Sequence, residues 1–182
     1  MPIDERQHTV SRPALLVDHD DSAFRQLVHD LLAFSARLHD VRNRFGAYIG
    51  LTGIQYTLLI SVNHLGVDKG AGEGVGVKAL AEHLSLSGAF VTIETTKLAK
   101  LGLIEKRPNA QDRRRVLLTV SAKGRSLLDQ LAPVQREVND ELFGCLDEGR
   151  FAALSEMAHN LKRDAVRALL LADYLTGSAE GR

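Results

Sequence analysis

The stretch that decides the fold runs from residue 77 to residue 120: VKALAEHL (77–84), SLS (85–87), GAFVTIETTKLAKL (88–101), a glycine at 102, LIEKR (103–107), PNAQDRR (108–114) and RVLLTV (115–120). Val77 to Leu84 reads as a short amphipathic helix. Ser85, Leu86 and Ser87 make a turn, and a longer helix follows from Gly88 to Leu101, stopped by Gly102. Ser87 is placed to cap that second helix, because a serine hydroxyl satisfies an amide left open in the first turn. Val91, Thr95, Leu98 and Leu101 recur at helical spacing as its inward stripe, which leaves Gly88, Ala89, Thr92, Ile93, Thr96, Lys97 and Lys100 facing outward. Two helices joined by three residues form a helix-turn-helix. Two short apolar runs follow, separated by a polar loop with Pro108, Asn109 and Asp112, and these read as a β-hairpin.

Charge singles out the same region. The 182 residues hold 23 basic and 23 acidic side chains, so the net charge is zero. Between Lys97 and Arg125, however, nine basic residues stand against Glu105 and Asp112, a local +7 balanced by −7 over the rest. Such an island is the footprint of a docking polyanion.

Outward from this centre, residues 1–19 read as a flexible arm. Phe24, Leu27, Leu31, Phe34, Leu38, Val41 and Phe45 recur at alternating spacings of three and four, a seam on a helix over 20–46 that Asp21 or Ser22 caps and Gly46 ends. Thr52 with Gln55 forms a capping box, and Leu51 with Tyr56 a hydrophobic staple, at the start of a second helix running to about His64. Gly66 to Gly76 reads as a flexible loop; no strand precedes it and no Gly-Lys-Ser/Thr follows, so it is not a nucleotide-binding loop. Ser121 caps a helix that Pro133 should kink or break in two. A last helix carries Phe151, Leu154, Ala158, Leu161, Ala165, Ala168 and Ala172, again at spacings of three and four. The expected division is a winged helix-turn-helix domain over 47–120, an N-terminal dimerisation helix over 20–46, C-terminal dimerisation helices over 121–175 and a tail over 176–182. The long apolar seams are too extensive for the small central module to cover, and a homodimer buries them most simply.

Other functional classes find little support. No apolar run reaches the roughly 18 residues that a membrane span needs, and the first dozen residues have no apolar segment of a secretory signal. A lone cysteine, Cys145, makes no intrachain disulfide and fits the cytoplasm; beside Phe143 and Leu146 it reads as a buried, inert thiol. The seven histidines include no pair at the spacing of a helical metal site, and no catalytic constellation or cofactor motif stands out. The fold class expected is therefore mainly α with a small β-hairpin wing, and the chain is expected to be neither enzyme nor membrane protein.

VKALAEHL (77–84), LSGAFVTIETTKLAKLGL (86–103) and above all DRRRVLLTVSAKG (112–124) resemble the MarR-type (multiple antibiotic resistance) winged-helix regulators. The resemblance covers about residues 20–172, with its motifs within 77–124. It implies a homodimer with intertwined terminal helices that binds a pseudo-palindromic duplex DNA operator through two recognition helices and two wings. It places Arg114 at the wing tip, entering the minor groove, and Asp112 as the partner that orients the wing. Ile93 departs from the family pattern, standing where many members have arginine. Ser87, Thr92, Thr96, Lys97, Asp112, Arg113, Arg114 and Arg115 are thus the expected DNA-contacting residues, with one of Arg113 and Arg115 turned to a surface ion pair. The resemblance also implies a small-molecule effector, an aromatic acid or phenol, for which Arg37, Arg44 and Tyr56 are candidate anchors. The alternative is a winged-helix dimer that binds a protein partner, favoured by Phe90 and Ile93 on the outward helix face.

Overall fold

The computed structural model describes residues 8–67, 74–109, 112 and 114–177. Its elements are α1 (Ser22–Tyr48), α2 (Gly53–Val67), β1 (Val75–Gly76), α3 (Val77–Leu84), α4 (Gly88–Lys100), β2 (Ile104–Pro108), β3 (Val116–Val120), α5 (Ala122–Leu142) and α6 (Glu148–Leu175). The mainly helical fold with its hairpin wing is as the sequence indicates. The chain forms two compact units, Met1–Pro133 and Val134–Arg182.

The first unit is built around α2, which packs against α1, α3, α4, β1 and β3. Leu58 and Leu59 on α2, Val75, Leu80, Val91, Leu98, Leu118 and Leu131 are sealed from solvent and form its core. Thr52 and Gln55 make both bonds of the capping box: the Gln55 amide donates to Thr52 Oγ1 at 3.3 Å, and the Thr52 amide to Gln55 Oε1 at 3.1 Å.

The end of α1 lies two residues beyond the expected stop. Gly46 sits inside the helix because the chain returns against it: a Cβ there would meet the Thr52 carbonyl oxygen at 2.8 Å. The stop is Gly50, whose φ of +72° lets the Leu51 amide reach back to the Gly46 carbonyl at 2.8 Å. The same device ends α4, where Gly102 at φ +72° brings the Leu103 amide to the Leu98 carbonyl at 3.0 Å. Neither Asp21 nor Ser22 caps α1 with its side chain. Asp20 takes the Ser22 amide and hydroxyl, both at 2.9 Å, while the buried Asp21 carboxylate is turned to Thr9 and Arg25.

The wing is one strand larger than a hairpin. β1 adds to the free side of β3, pairing Val75 with Leu118, so the antiparallel order is β1–β3–β2. The end of the expected loop over Gly66 to Gly76 is therefore ordered into the sheet at 75–76, and its 68–73 part lies outside the described residues. In β2 and β3, Ile104 pairs with Val120 and Pro108 with Val116. Ser121 accepts from the Gly124 amide at 3.0 Å and donates to the Gly102 carbonyl at 2.6 Å, which joins the start of α5 to the end of α4.

Pro133 does not break α5 in two. The helix runs unbroken from Ala122 to Leu142, since a proline in its middle costs a backbone bond but leaves the turns on both sides intact, and the boundary between the compact units falls at this proline. In the second unit Asp147 caps α6, accepting from the Arg150 amide at 2.8 Å. No residue of α6 is buried, and Leu161, Leu169 and Leu170 are among its exposed apolar side chains. On α1, Leu27, Leu31 and Phe34 of the expected seam are likewise exposed. Cys145, expected to be buried, is exposed, because the Gly144–Leu146 link between α5 and α6 packs no second layer over it.

Candidate nucleic-acid interface

The N-terminal turns of α4 and the tip of the wing open onto one groove. It encloses about 940 Å³ between α3, the start of α4 and the β2–β3 tip, with Gly88, Thr92, Lys106, Asn109, Arg114 and Arg115 on its walls. α4 starts as its sequence dictates: the Ser87 hydroxyl accepts from the Phe90 amide at 3.2 Å. Val91, Glu94, Thr95 and Leu98 face the core, while Leu101, expected among them, is exposed where the chain turns at Gly102.

Side chains on the outer face of α4 are extensively committed. Thr92 Oγ1 donates to the Gly88 carbonyl at 2.8 Å, and Thr96 Oγ1 to the Thr92 carbonyl at 2.7 Å. Thr96 also accepts from Lys106 Nζ, 2.8 Å away on β2. Lys97 Nζ lies 2.6 Å from the carboxylate of Glu94, a buried acid that the sequence pattern did not single out. Much of the Lys97 charge is thus offset locally, whereas Lys100 has no carboxylate partner among the described residues.

At the wing tip Asp112 organises its neighbours. One carboxylate oxygen accepts from the Arg114 amide at 3.1 Å, and the other pairs with Arg115 Nε at 3.1 Å. Its own carbonyl accepts from the Arg115 amide at 2.9 Å, and the Asn109 amide closes the loop on the Arg115 carbonyl at 2.9 Å. Arg115 is therefore an ion-pair partner. Arg114 is exposed with no carboxylate partner among the described residues, leaving its guanidinium for another anion. Arg113 lies outside the described residues. Lys106 and Asn109 were not foreseen as groove residues. Strand alternation could have placed Lys106 opposite Glu105, but its reach to α4 depends on the sheet's packing. Burial holds the Lys106 ammonium below the usual lysine range.

Of the candidate effector anchors, Arg37 and Arg44 lie on α1 and Tyr56 on α2. Arg37 is exposed, 3.4 Å from Asp40, and Arg44 donates to the Asp40 carbonyl at 3.0 Å. Tyr56 is buried edge-on to Phe45, with the Arg42 guanidinium 5.1 Å above its ring. Arg42 is held there by a 2.9 Å bond to Thr57, a neighbour on another helix that sequence spacing does not show. None of Arg37, Arg44 and Tyr56 lines the groove at the wing.

His8, Asp20 and Asp21 each bring a metal-ligating atom within 4.8 Å of the others. The cluster has an explanation without an ion. Asp21 accepts from the amide and hydroxyl of Thr9 at 2.6 and 2.7 Å and pairs with Arg25 at 2.6 Å. The Thr9 bonds chiefly hold its carboxyl below the usual range.

Comparison with known proteins bears on the fold that carries this groove. The MarR family model matches residues 72–116. A sequence comparison with curated proteins found no match. A cysteine-to-serine variant of MarR from E. coli complexed with operator DNA superimposes with a TM-score of 0.60 at 19% identity, covering 77% of this chain and 94% of that one. A MarR protein from Peptoclostridium difficile gives a TM-score of 0.62 at 17% identity, covering 89% and 98%. The transcriptional regulator BldR from Sulfolobus solfataricus gives 0.59 at 19%, covering 81% and 96%. Among the described residues no single helix is long and apolar enough to cross a membrane. Over residues 72–116 the chain is therefore similar to the MarR family, and around that stretch it shares the winged helix-turn-helix fold of the solved structures.

Proposed function

We propose that this chain is a sequence-specific DNA-binding regulator of transcription, working in the cytoplasm as a homodimer and without enzymatic activity. In this reading α4 of each protomer enters the major groove of a pseudo-palindromic operator, and each wing sets Arg114 against the minor groove, with half-sites about 34 Å apart. The observation that carries the reading is the convergence on one groove of the α4 N-terminus and of Arg114, a wing-tip arginine with no carboxylate partner among the described residues and itself part of the basic stretch 97–125. The relative complexed with operator DNA supports the same use of the fold.

The regulator acts as a repressor, with Ser87, Thr92, Thr96, Lys97 and the wing residues Asp112 to Arg115 at the DNA. A small aromatic acid or phenol, held near Arg37, Arg44 and Tyr56, releases it by favouring a dimer whose recognition helices no longer match the half-site spacing. The test is fluorescence anisotropy of a labelled duplex from upstream of the chain's own coding region, at two salt concentrations, against an unrelated duplex. Tight, salt-dependent preference for the native duplex supports the reading. Absence of binding at low salt refutes it and favours the alternative use of the exposed Phe90 and Ile93 face, protein contact.

A further inference from the structure

The outward face of α4 is chemically unusual for a helix that reads DNA. Val91, Glu94, Thr95 and Leu98 are buried, so the midline of the opposite face is set by helical spacing: Ala89, Ile93, Thr96 and Lys100, at i, i+4, i+7 and i+11. From Gly88 to Thr96, covering the turns that would enter a groove first, no side chain is free to donate a hydrogen bond to a base edge. Thr92, Thr95 and Thr96 all donate to backbone carbonyls of their own helix, and Glu94 is buried on Lys97. What this segment does present is apolar. Ile93 is 55% exposed at the midline and Phe90 38% exposed at its edge. The surroundings are cationic, with Lys100 on the same helix and Arg114 at the wing, and this matches a polyanion rather than an apolar protein surface.

On the floor of the major groove only one feature is apolar, the C5-methyl group of thymine. We propose that Ile93, flanked by Phe90, reads thymine methyl groups, so that each half-site of the operator carries thymine where the midline of α4 meets the bases. Hydrogen-bond readout of guanine by an arginine, available to family members that carry one at this position, is replaced here by apolar contact. The proposal rests on the DNA-binding reading above and adds the class of sequence that is read.

The test uses the full chain and a duplex recovered by in vitro selection from a random 26-base-pair library. That duplex is then made in two forms, one with thymine and one with deoxyuridine at the thymines of each half-site. Deoxyuridine keeps the base pairing and removes only the methyl. Loss of one methyl contact should weaken binding about fourfold, and of a symmetric pair about fifteenfold, the scale of burying one methyl-sized group in each half-site. Ile93→Ala, at an exposed position that the fold does not need, should bind the two forms alike. Arg114→Ala should weaken both and keep the ratio between them. Equal affinity of the unmodified protein for the two duplexes overturns thymine reading while leaving DNA binding intact. Failure to enrich any duplex overturns the DNA-binding reading itself, and thymine reading with it.

Discussion

Lys106 on β2 donates to the hydroxyl of Thr96 on α4 across 2.8 Å, and this bond fastens the wing to the helix beside it. Burial disfavours its ammonium form, which sets a cost of charge against the bond to Thr96. Lys106→Met should therefore leave the melting temperature at pH 7 unchanged or slightly higher, while weakening DNA binding about threefold to tenfold by loosening the wing and removing a cation. The sign with pH follows: a lysine lowered on folding binds its proton more tightly when unfolded, so the penalty lifts as pH rises through the folded value. Melts from pH 7 to pH 10.5 should show the unmodified protein gaining on Lys106→Met with pH. A gap that widens the other way would mean that the Thr96 bond outweighs the burial.

Arg114 and Asp112 make opposed contributions to charge and the same contribution to geometry. Arg114→Ala should weaken binding about tenfold and lower the salt slope by about one. Asp112→Ala removes a negative charge facing a polyanion, which on electrostatics alone would tighten binding. It also removes the acceptor of the Arg114 amide and the partner of Arg115. We expect the loss of shape to win, with affinity falling about threefold. Tighter binding in an anisotropy titration would reduce Asp112 to a repulsive charge.

The order of elements was legible because each signal is local. The Ser87 cap, the Thr52–Gln55 box and the stop at Gly102 depend only on neighbours in sequence, and the structure contains all three. What failed to show depends on residues far apart. Gly46 looks like a helix stop until the return of Leu51 and Thr52 against it is known. β1 is two residues long, with too little pattern to see before β3 lies beside it. Asp21 reads as a cap from its position, yet Thr9, twelve residues earlier, claims its carboxylate. At the candidate site the basic wing was visible from composition, while the Lys106–Thr96 bond and the burial of Glu94 needed the sheet and helix packed together.

Gly124 gives a test of the corner that carries the wing. It is buried in the first turn of α5, and a Cβ there would stand 2.2 Å from the Leu103 carbonyl oxygen and 2.8 Å from Val120 Cγ1. The nearer obstacle is backbone and cannot swing aside. Gly124→Ala should destabilise the protein by about 2–3 kcal/mol, the scale of overpacking, even though alanine is the better helix former. Thermal melting should register a fall of roughly 5–10 °C. An unchanged or raised melting temperature would mean that the corner shifts to accept the methyl.

The exposed leucines of α6 bear on the proposed dimer. Leu161 and Leu169, about two turns apart on neighbouring positions of one side of α6, are each at least 59% exposed, and an apolar surface of this kind along a long helix is costly to leave in water. If a second copy covers it, the chain should sediment at twice its 19.9 kDa mass. Leu169→Glu then places a carboxylate beside the covered seam of each protomer, next to Ala168 and Ala172, where it is stripped of water without gaining a partner. Dimerisation should weaken at least a hundredfold, and sedimentation velocity at micromolar protein should show monomer. Leu169 is not part of the core around α2, so the monomer should keep its helical circular dichroism. Its affinity for a two-half-site duplex should fall much further than its affinity for a single half-site, because one protomer no longer carries the other to the DNA. A Leu169→Glu protein that remains dimeric would place the subunit contact elsewhere, and a monomeric unmodified protein would remove the dimer from the proposed function.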